Sequence, residues 1–582
     1  MKFMKTIENI KYLFIVLLFA ATGCTDLTER LYDTVSSETY YNTKDDVLRA
    51  VLRPYEHAYW TVSRVYDIQE NSADFIATYN REGDWLDGQI FHRQHYHTWT
   101  IEDPGSKESW FSNFQGIMLC SAAIDDLEKL NAPDFEYKQE EFDNFKAGLM
   151  TLRAWFYLNV FDLFRNIPLA VSADPEKNSK GQVPPQEMFN FIEKELKDAI
   201  TMLPKKEGTG GNKDKQGQWN QAGAAALLVK LYLNAEKWIG TAKYTECATY
   251  AQNIINGEYG TYEIANRWDA PFDWNNETCD EVIYAYTGAL TRAHWQYSNE
   301  MYWWSIPARS PDYFGFKDWG MSNPKFALQP SRDIDGNLYN FELGMPVAKF
   351  QKYPEDYRLK LYKNLDAPSQ REGMFLFGYL EYDDGGKKVR VKNPGQSYDL
   401  YIRDQVGLFR GADPNTIIED KESNMNHGDH NSGWHLVKYP IYRSGDPGCM
   451  ESDYALLRLT EVYYSLAECK FRAGDISGAA QLLNKVRKRN YPEAKHSEYL
   501  YAPDGPVALT EKELLDEWGR EFIGEGRRRT DLIRWNKFTK GIWWDKQPDA
   551  DDHTEILPIH LKHLGANSDL KQNPGYPDIN RD

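Results

Sequence analysis

The chain has 582 residues, a formal net charge of −19, and an aromatic content of 14% that includes 18 Trp and 38 Tyr. A surface this acidic argues against nucleic acid or anionic lipid as a partner, and mildly against polyanionic ligands, although a local pocket can invert the overall sign. Length suggests about four domains, yet stacked repeats with insertions also reach this size; a mean hydropathy of −0.67 marks the body as hydrophilic, and so many aromatic rings predict flat apolar platforms for binding.

The N-terminus reads as an address. Lys2, Lys5 and Lys11 precede an apolar run, Tyr12–Ala21, about half as long as a membrane-spanning helix requires. Ala21-Thr22-Gly23-Cys24 then has the small residues and cysteine of a bacterial lipobox. Residues 1–23 are therefore expected to be a lipoprotein signal peptide, with Cys24 lipidated and anchoring the mature chain. The alternative is a plain signal peptide that contains a cysteine. Residues 1–23 carry a net +2, which leaves −21 on the remainder. Five further cysteines, Cys120, Cys247, Cys279, Cys449 and Cys469, are widely spaced, and without a CxxC they signal neither zinc nor redox chemistry. Cys120, Cys247 and Cys469 fall in helical runs and read as buried thiols.

Residues 67–109 read as a first loop-rich insertion. Asn, Asp and Gly mark turns, and Trp, Arg, Asp and His stand between them. Such residues suit a sugar, whose C–H faces stack on indole while carboxylate and guanidinium groups bond its hydroxyls. His92, His95 and His97 lack the carboxylate arrangement of a metal site. Helical periodicity follows at Asn113–Leu130, Phe145–Phe164 and Glu187–Leu203. The polar run Lys205–Gly217 reads as a solvated loop, because its glycines lack the strand and Gly-Lys-Ser/Thr ending of a phosphate loop.

Gln221–Glu258 is a helix pair turning near Trp238-Ile239-Gly240. Tyr454–Arg489 is a second, with Leu459, Val462, Tyr463, Leu466 and Ala467 on one face, a turn at Ala473-Gly474-Asp475, and Ala479, Leu482, Leu483 and Val486 on the next. Small residues and a length near 34 give these pairs a tetratricopeptide-like character, and one such pair cannot bury both faces alone. The expected fold class is mainly α: tetratricopeptide-like helix-pair repeats at 110–258 and 452–540, with a second long loop-rich insertion at 266–450.

That second insertion holds a dense aromatic stretch, Trp295, Tyr297, Tyr302, Trp303, Trp304, Tyr313, Phe314, Phe316 and Trp319. Lys387–Lys392 predicts a minor β component. Asp333–Asn337 reads as a surface turn rather than a calcium loop, and Asn424–Asn431 as a mobile polar loop. In Gly526-Arg527-Arg528-Arg529 the basic residues are expected to make internal ion pairs rather than an anion site, with Glu525 able to pair with Arg529 along a helix.

Several segments occur together in order: the lipobox, Ser109-Trp110-Phe111, Ala123-Ile124-Asp125, Leu152-Arg153-Ala154-Trp155-Phe156-Tyr157 with Ile167-Pro168-Leu169, and the Ala222–Leu233 helix. Arg520-Glu521-Phe522, Glu525-Gly526-Arg527-Arg528, Asp531-Leu532-Ile533-Arg534-Trp535, Ile556-Leu557-Pro558-Ile559 and Gln572-Asn573-Pro574-Gly575-Tyr576 close the series. This ordered set resembles the SusD/RagB family of nutrient-binding outer-membrane lipoproteins of Bacteroidetes. The sequence departs from it at His560, where the family more often has Pro, and in the modestly acidic Thr25–Glu29, which leaves a surface-export signal open.

The resemblance implies four tetratricopeptide-like helix pairs and an irregular, loop-rich part. It implies no catalytic residues, cofactor or metal, and a cell-surface role at the outer membrane. The protein would bind oligosaccharide and cap a SusC-like TonB-dependent transporter, the helical side resting on the transporter and the loops holding ligand. On that reading Asp74 and Arg81 hydrogen-bond the ligand, and Trp85, Trp99, Trp295, Tyr297, Trp303 and Trp319 stack on it. Three alternatives stay open: a glycoside hydrolase, with Asp84 and Asp87 as candidate carboxylates; a helical-repeat scaffold that binds only protein; and a binder of peptide cargo.

Overall fold

The computed structural model describes residues 40–288, 304–307, 310–315, 324–365, 371–411, 413, 418–441 and 451–579. Backbone contacts divide the chain after Leu48. In the first unit, Thr43 and Asp46 exchange hydrogen bonds: the Thr43 N–H donates to the Asp46 carboxylate at 2.9 Å, and the Asp46 N–H donates to Thr43 Oγ1 at 3.3 Å. This reciprocal cap starts helix α1 (Lys44–Asn71).

The second unit, Arg49–Asp582, is a stack of helix pairs. In chain order these are residues 49–71 of α1, then α2 (Pro104–Leu127), α3 (Gln139–Phe164), α4 (Pro185–Met202), α5 (Gln221–Leu233), α6 (Tyr244–Ile255), α7 (Leu459–Arg472) and α8 (Ile476–Arg487). From α2 onward each helix packs on the next. The helix α1 joins them through His57, whose Nε2 lies 2.7 Å from the Ser112 carbonyl, and through Trp60, edge-on to Phe111. Gly116 lets α2 approach α3, because a Cβ there would come within 2.3 Å of the Phe156 ring. In α5, near the middle of the stack, Ala222–Val229 is buried throughout, so this helix is apolar on every side.

The helices begin earlier than their apolar periodicity suggests. Pro104 and Pro185 occupy first-turn positions of α2 and α4, where a missing N–H costs nothing, and the first turns of α3 are polar. Residues 67–109 are accordingly less loop-rich than expected: α1 continues to Asn71, Ile90–Tyr96 is helical, and α2 starts at Pro104.

The helix α6 packs on α7 although residues 256–458 separate them in sequence. The insertion leaves and returns at one place. Strand β1 (Val282–Tyr286) pairs antiparallel with β2 (Tyr454–Arg458), Tyr286 opposite Tyr454 and Val282 opposite Arg458. The strand β2 then runs directly into α7, so the start of the predicted hairpin, Tyr454–Arg458, is strand rather than helix. Asp475 caps α8 as its turn position suggests, accepting the Gly478 N–H at 2.8 Å. Other strands are short and antiparallel, among them Ile76–Ala77 with Ala327–Leu328, and the Glu381–Asp384/Lys387–Arg390 hairpin, which includes the predicted Lys387 strand.

A buried ionic lattice fastens the C-terminal helices, α9 (Glu511–Phe522) and α10 (Arg528–Arg534), to this frame. Arg458, 1% exposed, bonds Glu281 at 3.1 Å, Glu521 at 2.9 Å and Glu525 at 2.8 Å. Arg527 pairs with Asp531, Arg528 with Asp74, and Arg529 with Asp162. The arginine run is thus internal. Glu525 does not pair with Arg529 but with Arg458 and Lys438, because it precedes α10 instead of lying on it. Desolvation offsets much of the attraction between charges this deep.

Two further expectations change. Lys205–Gly217 is not simply solvated: Lys206 is buried against Asp280, whose carboxylate also accepts the Gly210 and Gly211 N–H groups. Within Asn424–Asn431, Asp429 and Asn431 are 1% and 0% exposed and hydrogen-bonded to each other, so the end of that segment is packed interior. Cys120, Cys247 and Cys469 are buried free thiols and Cys279 is half-buried, while Cys24 and Cys449 lie outside the described residues.

Candidate functional site

Four of the twelve non-glycine residues described with positive φ fall in the turn Arg81–Gln89. Glu82, Trp85, Asp87 and Gln89 all have positive φ, of 52°, 65°, 37° and 65°. Each non-glycine residue held in that region costs about 1–3 kcal/mol, and such positions cluster where a side chain must be presented. The turn closes on itself through Arg81 and Asp84, which exchange backbone hydrogen bonds at 2.9 and 3.0 Å. It is pinned by the 425–428 segment: Asn80 N–H donates to Met425 O at 2.9 Å, and Glu82 N–H to Gly428 O at 3.3 Å. Gly428 is required there, because a Cβ would meet the Tyr79 ring at 2.6 Å.

The strain presents Trp85. Its half-buried indole stands edge-on to Phe91 at 6.0 Å and to Trp304 at 6.3 Å. Trp304, also half-buried, is fixed by its backbone, whose carbonyl accepts the Lys325 and Phe326 N–H groups at 2.8 Å, and by Lys325 Nζ, 4.0 Å from the ring centre. Trp434 is tied to the same strip, its carbonyl accepting the Leu328 N–H at 2.8 Å. Its half-buried ring stacks on Phe377 at 4.2 Å. Charged groups frame the turn. Arg410 is held between Glu82 and Glu419, and His430 Nε2 lies 3.7 Å from the exposed Asp84 carboxylate. Burial raises the Glu82 carboxyl above its usual range, and Arg410 opposes that shift. His435, behind the strip, is pushed down to about 3 by burial and by Arg81, so it is a neutral ring.

The predicted site residues separate. Trp85 is at this face. Arg81 lies beneath it, 1% exposed, with its guanidinium over the Tyr79 ring at 4.2 Å and donating to Pro324 O at 2.8 Å; it supports the turn rather than reaching outward. Asp74 is fully buried, bonded by Arg528 at 2.7 and 3.0 Å and by the Gly344 N–H at 2.8 Å, which leaves it nothing to offer a ligand. Trp99 is 9% exposed and stacks on His97, which places it in the packed interior beside Ile68 and Leu557. Trp295, Tyr297, Trp303 and Trp319 lie outside the described residues. His95 and His97 are bound to Asp545 and Asp549. The sequence reading passed over Trp304 as a contact and did not single out the Phe377–Trp434 stack; only the adjacency of Trp303-Trp304 signalled the former.

These features define a class: a tetratricopeptide-like helical-repeat protein that carries an aromatic, charge-rimmed face on its inserted segments. A family model described as "SusD family" matches residues 411–576, and one described as "Starch-binding associating with outer membrane" matches residues 54–233. The chain belongs to the SusD/RagB family. It is 26% identical over 458 residues to the starch-binding protein SusD of Bacteroides thetaiotaomicron, covering 74% of this chain and 72% of that one. A SusD-like protein of Formosa agariphila is 20% identical over 589 residues, 98% of this chain and 97% of its own. Among solved structures, a laminarin-binding SusD-like protein superposes with a TM-score of 0.64 at 19% identity, over 92% of this chain and 100% of that one. Surface glycan-binding protein A of Bacteroides fluxus gives 0.61 at 17% identity, over 92% and 100%.

Proposed function

We propose that this protein is a non-catalytic, surface-exposed lipoprotein of the outer membrane, anchored through Cys24, that captures oligosaccharide and delivers it to a SusC-like TonB-dependent transporter. The observation that carries the reading is the Trp85–Trp304 pair, held half-exposed by a strained and pinned turn. Rings fixed in this way stack on the C–H faces of a pyranose at little entropic cost, and the Glu82–Arg410–Glu419 rim supplies hydroxyl partners. The names of the relatives, which speak of binding starch, laminarin and surface glycan, favour the same ligand class. Trp295, Tyr297, Trp303 and Trp319 are proposed as further stacking residues, and the helix pairs as the side that rests on the transporter.

Calorimetry against a panel of neutral and acidic polysaccharides, with reducing-end assays on the same samples, tests this. Saturable binding without new reducing ends is expected. Cleavage would replace capture with hydrolysis, and silence from every glycan would shift the cargo to peptide. Co-purification with a co-expressed SusC-like transporter tests delivery.

A further inference from the structure

A buried charge lies under the Trp85–Trp304 pair. Lys325 is 2% exposed, and its ammonium lies 4.0 Å from the centre of the Trp304 ring, 4.9 Å from Phe326 and 4.8 Å from Phe91. Phe326 stands edge-on to Trp304 at 6.0 Å, and Phe91 edge-on to Trp85 at 6.0 Å. One ammonium therefore meets Trp304 directly, and Trp85 through the ring beside it.

That charge is paired. Lys325 Nζ donates to both carboxylate oxygens of Asp67, one turn before the end of α1. An ammonium at this depth is tolerated when a carboxylate and aromatic faces replace its water. The backbone fixes its direction from both sides. The Lys325 N–H donates to Trp304 O at 2.8 Å, and Arg81 Nη1 donates to Pro324 O at 2.8 Å and to Lys325 O at 3.3 Å. The helix α1 braces the same strip through Tyr66, edge-on to Phe326 at 5.4 Å.

This contact divides the Trp304 ring. The ammonium covers one face of the indole, and the opposite face is the one left for a ligand. A ring held from one side has few orientations to lose when a sugar stacks on the other. Without the cation, the ligand must order a looser side chain, which weakens affinity about two- to tenfold.

We infer that Lys325, held by Asp67, is the positioning residue of this platform: it fixes Trp304 against Trp85 and so presents the free indole face to a saccharide. Lys325 touches no ligand itself. The saccharide part rests on the glycan-capture reading; the placement of the ring rests on these contacts alone.

The test compares purified Lys325→Met and Asp67→Asn with the parent. Calorimetry uses whichever of starch, laminarin, xylan, mannan and pectin binds the parent most tightly. Fluorine NMR of protein labelled with fluorotryptophan follows the ring, the Trp304 resonance being identified by its loss in Trp304→Phe. Lys325→Met retains the length of the side chain without its charge, and is expected to weaken binding by about threefold or more and to move the Trp304 resonance. Asp67→Asn should shift both readouts in the same direction, and decides the matter if Lys325→Met does not fold. The inference is overturned if the folded variants bind as the parent does, or if affinity falls while the Trp304 resonance stays in place. A parent that binds none of these polysaccharides sinks the capture reading and this inference with it. Binding by the parent that both substitutions leave unchanged sinks this inference alone.

Discussion

Asp74→Ala separates a structural carboxylate from a ligand contact. Asp74 is fully buried and takes two hydrogen bonds from Arg528, at 2.7 and 3.0 Å, and one from the Gly344 N–H. Removing it leaves Arg528, 4% exposed, with its bond to Leu515 O but no counter-charge. Breaking a buried pair from one side costs about 3–5 kcal/mol. A unit the size of Arg49–Asp582, melting as one, has an unfolding entropy of about 1.1 kcal/mol per kelvin, so the expected loss is roughly 3–5 °C in Tm.

The pH dependence has a definite sign. Burial works against ionisation of Asp74, but the charge and hydrogen bonds of Arg528, with Lys349, outweigh it and hold the carboxyl below its usual range. A depressed carboxyl contributes its stability above the unfolded value, about 3.9, and loses it as pH falls through the folded value. The gap between parent and variant should be constant at neutral pH and close below about pH 4. Differential scanning calorimetry over that range reads both effects. An unchanged Tm, or lost glycan affinity with the melt intact, would refute the assignment of Asp74 to the frame.

Three further outcomes are expected. Trp85→Ala should weaken oligosaccharide binding about tenfold, with little change in Tm, because the ring is half-buried and its loss is one of stacking; an unaltered binding isotherm would remove Trp85 from the site. Gly116→Ala should destabilise by about 1–3 kcal/mol despite the better helix former, because its Cβ would press on Phe156 between α2 and α3; a raised denaturation midpoint would contradict that packing. Asp404 is pushed up to about 7 by burial, against the Ser331 hydrogen bond and Arg332. Its proton therefore favours the fold at low pH and is lost as pH rises from about 4 through 7, so Tm should decline between pH 5 and 8 and decline less in Asp404→Asn. Equal slopes for the two proteins would exclude that origin.

What could be read from sequence followed local rules. The α7–α8 hairpin was visible because Leu459, Val462, Leu466, Ala479 and Leu483 repeat at helical spacing around an Asp475 cap. The helix α1 does not figure in the sequence reading, although Val47, Val51, Ala58 and Val62 recur at helical spacing and are buried; Pro54 lies inside it. The internal pairing of Arg527–Arg529 was anticipated from charge alone, but Asp74 and Asp162 as partners were not, since pairs separated by hundreds of residues leave no local trace.

At the candidate site the limits were sharper. Trp85 and Trp99 are both tryptophans among turn residues within one segment, yet one is presented by positive φ and the other is packed against His97. Asp74 and Arg81 carry the right chemistry for a sugar, but the Asp74 carboxylate is spent on Arg528, and Arg81 is buried over the Tyr79 ring.

The sequence by itself determined the α5–α6 and α7–α8 helix pairs and the family, because periodicity, caps and ordered motifs are properties of neighbouring residues. Only the tertiary structure decided that α6 continues into α7 across a long excursion closed by β1 and β2. It also decided which aromatic rings face outward. Burial and charge compensation depend on which distant segments meet, and that is settled by packing the whole chain at once.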